Sequence, residues 1–242
     1  MYHCEHKSDY IKYKKLDMGK KKDKKPDYKA RLFSFKYLLY DLVKWWGWWQ
    51  CLLWYRLNIK YDGKEAKKRI KGKAIISSNH VGYSDPFILQ CAFLYRRFHF
   101  VFMNELLTNK FKAWVYKYVF LSYPIDRNKP SYATMKFLSE YVKGGNLLAL
   151  FPEGHITTDG TVNSFKGGAL LIAYLSDTPI IPVYHQKRTS IWRTTRLVVG
   201  KPFNVKERIG PVLNQDKLNK AAEELHAYEL ELEKMCLEGQ KK

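Results

Sequence analysis

The sequence predicts an α/β fold: a mixed, mostly parallel β-sheet flanked by helices, with an N-terminal membrane-associating helical element. Three observations carry this expectation. Short apolar runs rich in Ile, Val, Leu and Phe recur near residues 57–61, 74–78, 98–102, 121–125, 147–151, 179–184 and 196–199. Helical patterns separate several of them, at 85–95, 104–119, 131–143 and 165–176. Such strand–helix alternation builds a sheet with helices packed on its faces. The third observation is an aromatic segment, Leu32 to Tyr55, that precedes the first run and does not share its pattern.

Taken in order, residues 1–30 carry ten Lys and five acidic residues, a local net of +5, with little apolar periodicity. They read as a basic, flexible and solvated arm whose charge adds weakly to attachment on anionic lipid, about 1 kcal/mol per basic residue near the surface. Residues 31–56 form the Trp-rich element. Its 24-residue core from Leu32 to Tyr55 is long enough to cross a bilayer, which takes about 20 residues. Lys36, Asp41 and Lys44 argue against a span, because each charge at mid-membrane costs roughly 2.5 kcal/mol or more. Tryptophans 45, 46, 48 and 49 sit where a spanning helix would carry Leu and Val. The pattern predicts two helices broken near Gly47 and lying in the interface. A hairpin buried in a soluble core is the competing reading, and it would have to enclose adjacent Trp side chains all round. Residues 57–242 then form one domain, closed by an amphipathic helix over about 215–237 with Leu218, Ala221, Leu225, Tyr228 and Leu232 at three- and four-residue spacing.

The 242 residues suffice for one sizeable α/β domain. Forty-three Lys and Arg against 23 Asp and Glu leave a charge of +20, which points to nucleic acid, an anionic membrane surface or phosphorylated substrates. Seven Trp and eighteen Tyr beside that charge fit a membrane interface; they also fit single-stranded nucleic acid. The four cysteines, Cys4, Cys51, Cys91 and Cys236, show no metal-ligand or pairing spacing and read as reduced thiols. His3, Cys4 and His6 are too few for a closed structural metal site, and no metal is expected. No apolar stretch of a secretory signal opens the chain.

In open α/β sheets, ligands collect beyond the carboxyl ends of the strands. Asn79-His80 follows the run 74–78, Asp126-Arg127 follows 121–125, and Glu153-Gly154 follows 147–151. A base, a cation and a carboxylate are thereby aimed at one edge. If the chain turns at Gly82, Asp85 can bond one imidazole nitrogen of His80 and leave the other basic. Such a base could deprotonate an alcohol that attacks a thioester. Asp85-Pro86 also reads as a helix start, and a carboxylate with two oxygens can serve both purposes. Glu153, in a Phe-Pro-Glu-Gly turn, could bond substrate hydroxyls, although the tetrapeptide alone is only a turn signal. Gly154 permits a positive φ or a close approach to ligand. Arg127 could hold a phosphate bidentately, and Lys166 could add a cation beside the N–H groups that open the next helix.

Four blocks in order, across roughly residues 70–200, resemble the glycerolipid acyltransferases of the 1-acylglycerol-3-phosphate (lysophosphatidate) acyltransferase group: Asn79-His80-x4-Asp85, Tyr123-Pro124-Ile125-Asp126-Arg127, Phe151-Pro152-Glu153-Gly154 and Pro179-Ile180-Ile181-Pro182-Val183. The resemblance implies a glycerol-3-phosphate acyltransferase-like fold. It implies His80 as general base and Asp85 as its orienting partner; Asn79 and Lys166 are expected beside them among the substrate-binding residues. It further implies that Arg127 binds the acceptor's phosphate and that Glu153 and Gly154 hold its glycerol. A lysophospholipid acceptor would attack acyl-CoA or acyl-acyl carrier protein directly. No resident cofactor and no nucleic acid partner are expected, and the implied location is the cytoplasmic face of the cell membrane. One departure stands out: the family's third block commonly continues Glu-Gly-Thr-Arg-Ser, whereas this chain reads Glu153-Gly154-His155-Ile156-Thr157. The missing arginine leaves room for another lysophospholipid or a lyso-aminolipid as acceptor.

Other classes fit less well. A non-enzymatic binder of nucleic acid or anionic membrane explains the charge but not a base, a cation and a carboxylate after successive strand-like runs. A serine hydrolase needs a Gly-x-Ser-x-Gly elbow, and Gly82-Tyr83-Ser84-Asp85 does not close one. No His-Glu-x-x-His or comparable ligand spacing supports a metalloenzyme.

Overall fold

The structure, a computed structural model, describes residues 37–50, 55–103, 109, 111, 114–115, 121–125, 132–157, 162, 164–188 and 193–238. Seven strands form one sheet: β1 (Asn58–Tyr61), β2 (Ala74–Ser78), β3 (Phe98–Met103), β4 (Tyr123–Ile125), β5 (Leu147–Leu150), β6 (Ile180–His185) and β7 (Arg196–Val199), in the order β1-β7-β6-β2-β5-β3-β4. Every apolar run read as a strand is one. Neighbours pair in parallel except β6 and β7, which are antiparallel. The mixed, mostly parallel sheet is therefore as expected.

The helices are α1 (Leu38–Gln50), α2 (Gly63–Ala66), α3 (Asp85–Ala92), α4 (Tyr132–Lys143), α5 (Gly168–Ser176), α6 (Val205–Ile209) and α7 (Gln215–Glu238). Most of the helix expected at 104–119 lies outside the described residues. In the central strands every residue is buried, as a parallel sheet covered on both faces requires. Alternation along β2 divides the core. Ile75 packs with Leu148 and Ile180 against Leu170 of α5 and Leu225 of α7. Ile76 points the other way, with Ala149 and Val183 against Ile88 and Leu89 of α3.

Two expectations need correction. α1 runs unbroken through Gly47. A single Gly costs a helix only about 1 kcal/mol relative to Ala, and α1 is held by contacts upstream of it. Asp41 forms a bidentate pair with Arg97, at 2.8 Å to Nε and 2.7 Å to Nη2. Tyr40 OH accepts from Phe98 N, and Lys44 Nζ donates to the Arg96 carbonyl. The cysteines are the second correction. Cys91 is disulfide-bonded, while Cys236 is a buried free thiol. Spacing along the chain carries no signal for a pairing that tertiary approach creates. Among the described residues, no helix is long and apolar enough to cross a membrane, and no group of His, Cys, Asp or Glu could hold a metal ion.

Candidate active site

β6, β2 and β5 are adjacent and parallel, so their carboxyl ends share one edge of the sheet. Three segments leave that edge side by side: His185 ends β6, Asn79-His80 follows β2, and the Phe151–Gly154 turn follows β5. The site is built from their stitching.

After β2 the chain wraps around one carboxylate. Asp85 Oδ2 accepts from Val81 N at 2.7 Å, from Gly82 N at 2.9 Å and faces His80 Nδ1 at 2.8 Å. The two backbone bonds hold the Oδ2 end of the carboxylate beside the imidazole that it orients. Asp85 is 1% exposed and opens α3, with Pro86 behind it. The expected cap is not made: Ser84 stands at the N-cap with no side-chain cap bond, and the Asp85 carboxylate turns back to Val81, Gly82 and His80. The His80 ring also stacks on Phe151, with centroids 4.1 Å apart and planes 14° apart. With Nδ1 engaged, Nε2 is the nitrogen left for a substrate proton.

The Phe-Pro-Glu-Gly segment is a turn, closed by Gly154 N donating to Phe151 O at 3.1 Å, with Gly154 at φ +73°. Pro152 at its second position and Gly154 at its fourth are the residues such turns favour. The turn sends Glu153 inward. Oε1 accepts from His80 N at 3.1 Å, Oε2 accepts from Thr157 Oγ1 at 2.6 Å, and the residue is 1% exposed. Thr157 N donates to His80 O at 2.7 Å. Glu153 therefore braces the backbone of the base, both of its oxygens being turned into the protein.

Asn79 is held in the same way. It is wholly buried, its Nδ2 donates to His185 O at 2.9 Å, and its Oδ1 accepts from His185 N at 3.0 Å. The side-chain amide continues the β2–β6 ladder beyond the Ser78–Val183 pair.

Gly154 and Lys166 stay on the open side. Lys166 is exposed and lies across Gly154, its Nζ 3.4 Å from where a Cβ would sit. Exposed His155 is beside them, with Nδ1 3.0 Å from Glu153 O. Ile156, in the place of the family's arginine, is half-buried. Arg127 lies outside the described residues. β4, which ends before it, is three strands from β2, about 14 Å at usual spacing.

Sequence reading missed three participants. His185 closes the run at 179–184 and was open to the rule that flagged Asn79. Thr157 was noted only as the end of the block that departs from the family. Glu229 of α7, wholly buried, accepts from Ser77 Oγ at 2.7 Å beneath the site; burial pushes its carboxyl up to about 8, with Glu153 adding to the rise.

A family model described as Acyltransferase matches residues 58–186, which contain this whole edge. The chain belongs to the acyltransferase family. Among curated proteins it is similar to the 1-acyl-sn-glycerol-3-phosphate acyltransferase of Bacillus subtilis (strain 168), 26% identical over 135 residues, which is 54% of this chain and 66% of the relative. The protein of the same name from Streptococcus pneumoniae is 32% identical over 110 residues, 45% of this chain and 40% of that one. The matched stretch thus spans just under two thirds of the first relative and two fifths of the second. Among solved structures, the crystal structure of the 1-acyl-sn-glycerophosphate (LPA) acyltransferase PlsC from Thermotoga maritima aligns with TM-score 0.59 and 20% identity over 95% of this chain and 88% of that one. This acyltransferase shares its fold.

Proposed function

We propose that this acyltransferase moves a fatty acyl group from acyl-CoA or acyl-acyl carrier protein to the sn-2 hydroxyl of lysophosphatidic acid, giving phosphatidic acid at a membrane surface. The observation that carries the reading is the His80–Asp85 pair, held by two backbone N–H groups, in the block shared with the family. His80 Nε2 takes the hydroxyl proton as the oxygen attacks the thioester carbonyl. The tetrahedral adduct collapses to ester and thiolate, and the imidazolium returns the proton to sulfur. Atoms balance without an acyl-enzyme, and no resident cofactor is required. Lys166 over Gly154, with Arg127, would receive the acceptor's phosphate.

Membrane association, at the cytoplasmic face of the cell membrane, is part of the proposal and rests on α1. Its outer face exposes Leu38, Leu39, Leu42, Trp45, Trp46 and Trp49, within a sector of about 120° at 3.6 residues per turn. Trp and Leu on one side with net positive charge suit an interfacial helix. The 1–30 arm and most of the remaining 31–56 element lie outside the described residues. Ile156 favours a second reading within the same chemistry, in which another lysophospholipid or a lyso-aminolipid is the acceptor.

The test is transfer from labelled acyl-CoA and acyl-acyl carrier protein to lysophosphatidate, glycerol 3-phosphate and lysophosphatidylethanolamine in mixed micelles. Labelled phosphatidic acid is expected, and His80→Ala should reduce its formation by at least about a thousandfold. A product from another acceptor would relocate specificity to Ile156. A folded wild type with no His80-dependent transfer to any acceptor would end the enzyme reading.

A further inference from the structure

Asp85 is flanked by two imidazoles. Its Oδ2 carries the three short contacts, from His80 Nδ1, Val81 N and Gly82 N. Its Oδ1 faces His185 Nε2 at 3.7 Å. His185 is wholly buried, and Nε2 has no hydrogen-bond partner. The ring cannot drift, because the His185 backbone is bound at both N and O by Asn79, the residue before His80. A buried polar atom without a partner is rare and calls for a reason. Here the reason lies opposite it, in the carboxylate that orients the proposed base.

We propose that His185 is a positioning residue: its Nε2–H faces Asp85 Oδ1 and holds the carboxylate so that Oδ2 stays aligned on His80 Nδ1. The proposal rests on His80 being the base. At 3.7 Å the two groups face each other without a full hydrogen bond, and contacts of this kind in substrate-free sites tighten in the reacting complex. The titratable groups around the ring are Asp85 from α3, His80 from the turn after β2 and Glu153 from the turn after β5. Burial depresses the pKa of His185, so the ring stays neutral and holds one proton. On Nε2 that proton makes the approach to Asp85 attractive. On Nδ1 it would serve only the Gln186 carbonyl at 3.4 Å and would turn a lone pair on the carboxylate.

The first test needs neither substrate nor a variant's activity. Long-range 1H–15N spectra of histidine-labelled wild-type protein report the tautomer of each ring. His185 as the neutral Nε2–H form supports the proposal; the Nδ1–H form overturns it. The second test compares His185→Leu with His185→Gln, whose side-chain amide can still donate. In His185→Leu, kcat should fall roughly tenfold or more with KM unchanged, as expected when an orienting contact is lost. In the same variant the His80 titration should move to higher pH, because the carboxylate has lost a donor and pulls harder on the imidazolium. His185→Gln should restore both. A folded His185→Leu with unchanged kcat and an unmoved His80 titration overturns the proposal. If no acceptor is turned over at all, the proposed function fails, while the wild-type tautomer and the His80 titration still decide the role of His185.

Discussion

Helices α1 and α7 lie near opposite ends of the described chain and turn opposite faces to the protein. α7 follows the ordinary rule: Leu218, Ala221, Ala222, Leu225, Leu232 and Cys236 are buried at three- and four-residue spacing. α1 reverses it. Its docked side is Tyr40, Asp41 and Lys44, bonded to the Arg96–Phe98 segment, and its solvent side is Leu and Trp. Apolar area removed from water stabilises by about 25 cal/mol per Å², so a helix meant for water alone would have turned over. α7 is arranged against the sheet, whereas α1 docks through polar contacts and leaves its apolar side exposed, which is what the proposed interfacial role would use. Each helix also carries a buried carboxylate that breaks its pattern, with opposite means of support. Asp41 has a guanidinium, whereas Glu229 has only the Ser77 hydroxyl on Oε1 and no partner on Oε2.

Four changes would break or sharpen this contrast. Asp41→Ala removes the buried carboxylate bonded to Arg97 and should weaken the docking of α1 by about 3–5 kcal/mol. Amide exchange along α1 is expected to accelerate while α7 stays protected; equal protection in both would show that α1 is not held by its polar side. Leu225→Ala opens a void between α7 and the sheet and should lower global stability by about 2–5 kcal/mol in urea unfolding. An effect below that range would mean α7 is not apolar-docked as drawn. Replacing Trp45, Trp46 and Trp49 together with Ser should weaken binding to anionic vesicles about a hundredfold, near 3 kcal/mol. The melting temperature should hardly move, since those rings face outward; lost stability with retained binding would refute the assignment of this face.

The smallest expected effect is on pH dependence. The Glu229 carboxyl titrates near 8 in the folded chain and near 4.5 when unfolded. Between those values the unfolded chain has released a proton that the folded one retains, so stability falls as pH rises through the window. Glu229→Gln removes that slope and should gain about 2 kcal/mol on the wild type between pH 5 and pH 6.5. Parallel stability curves for the two proteins would place the Glu229 proton elsewhere.

Much of the architecture was legible because it rests on local patterns. All seven strands and α4, α5 and α7 were marked by apolar periodicity. His80 with Asp85 was legible because five residues and a glycine turn bring the two side chains together without help from the rest of the fold. Glu153 and Asn79 were found as residues, but the protein groups they bond, Thr157 and the His80 backbone for one and the His185 backbone for the other, were not. Both follow strand ends, and strand ends bear side chains that close the sheet as well as side chains that meet ligand. Only knowing that β6 and β5 flank β2 separates the two.

By itself, then, the amino-acid order determined where chain segments are strand or helix, and where a base and its carboxylate must meet. Hydrogen-bond period and turn chemistry act over a few residues, and a single sequence displays them. The tertiary structure alone decided that β6 brings His185 to the far side of Asp85, that Glu229 reaches Ser77 across 152 positions, and that Asp41 is buried on Arg97. Those contacts join residues far apart in the chain, and their stability depends on exclusion from water that exists only once the sheet and helices have packed.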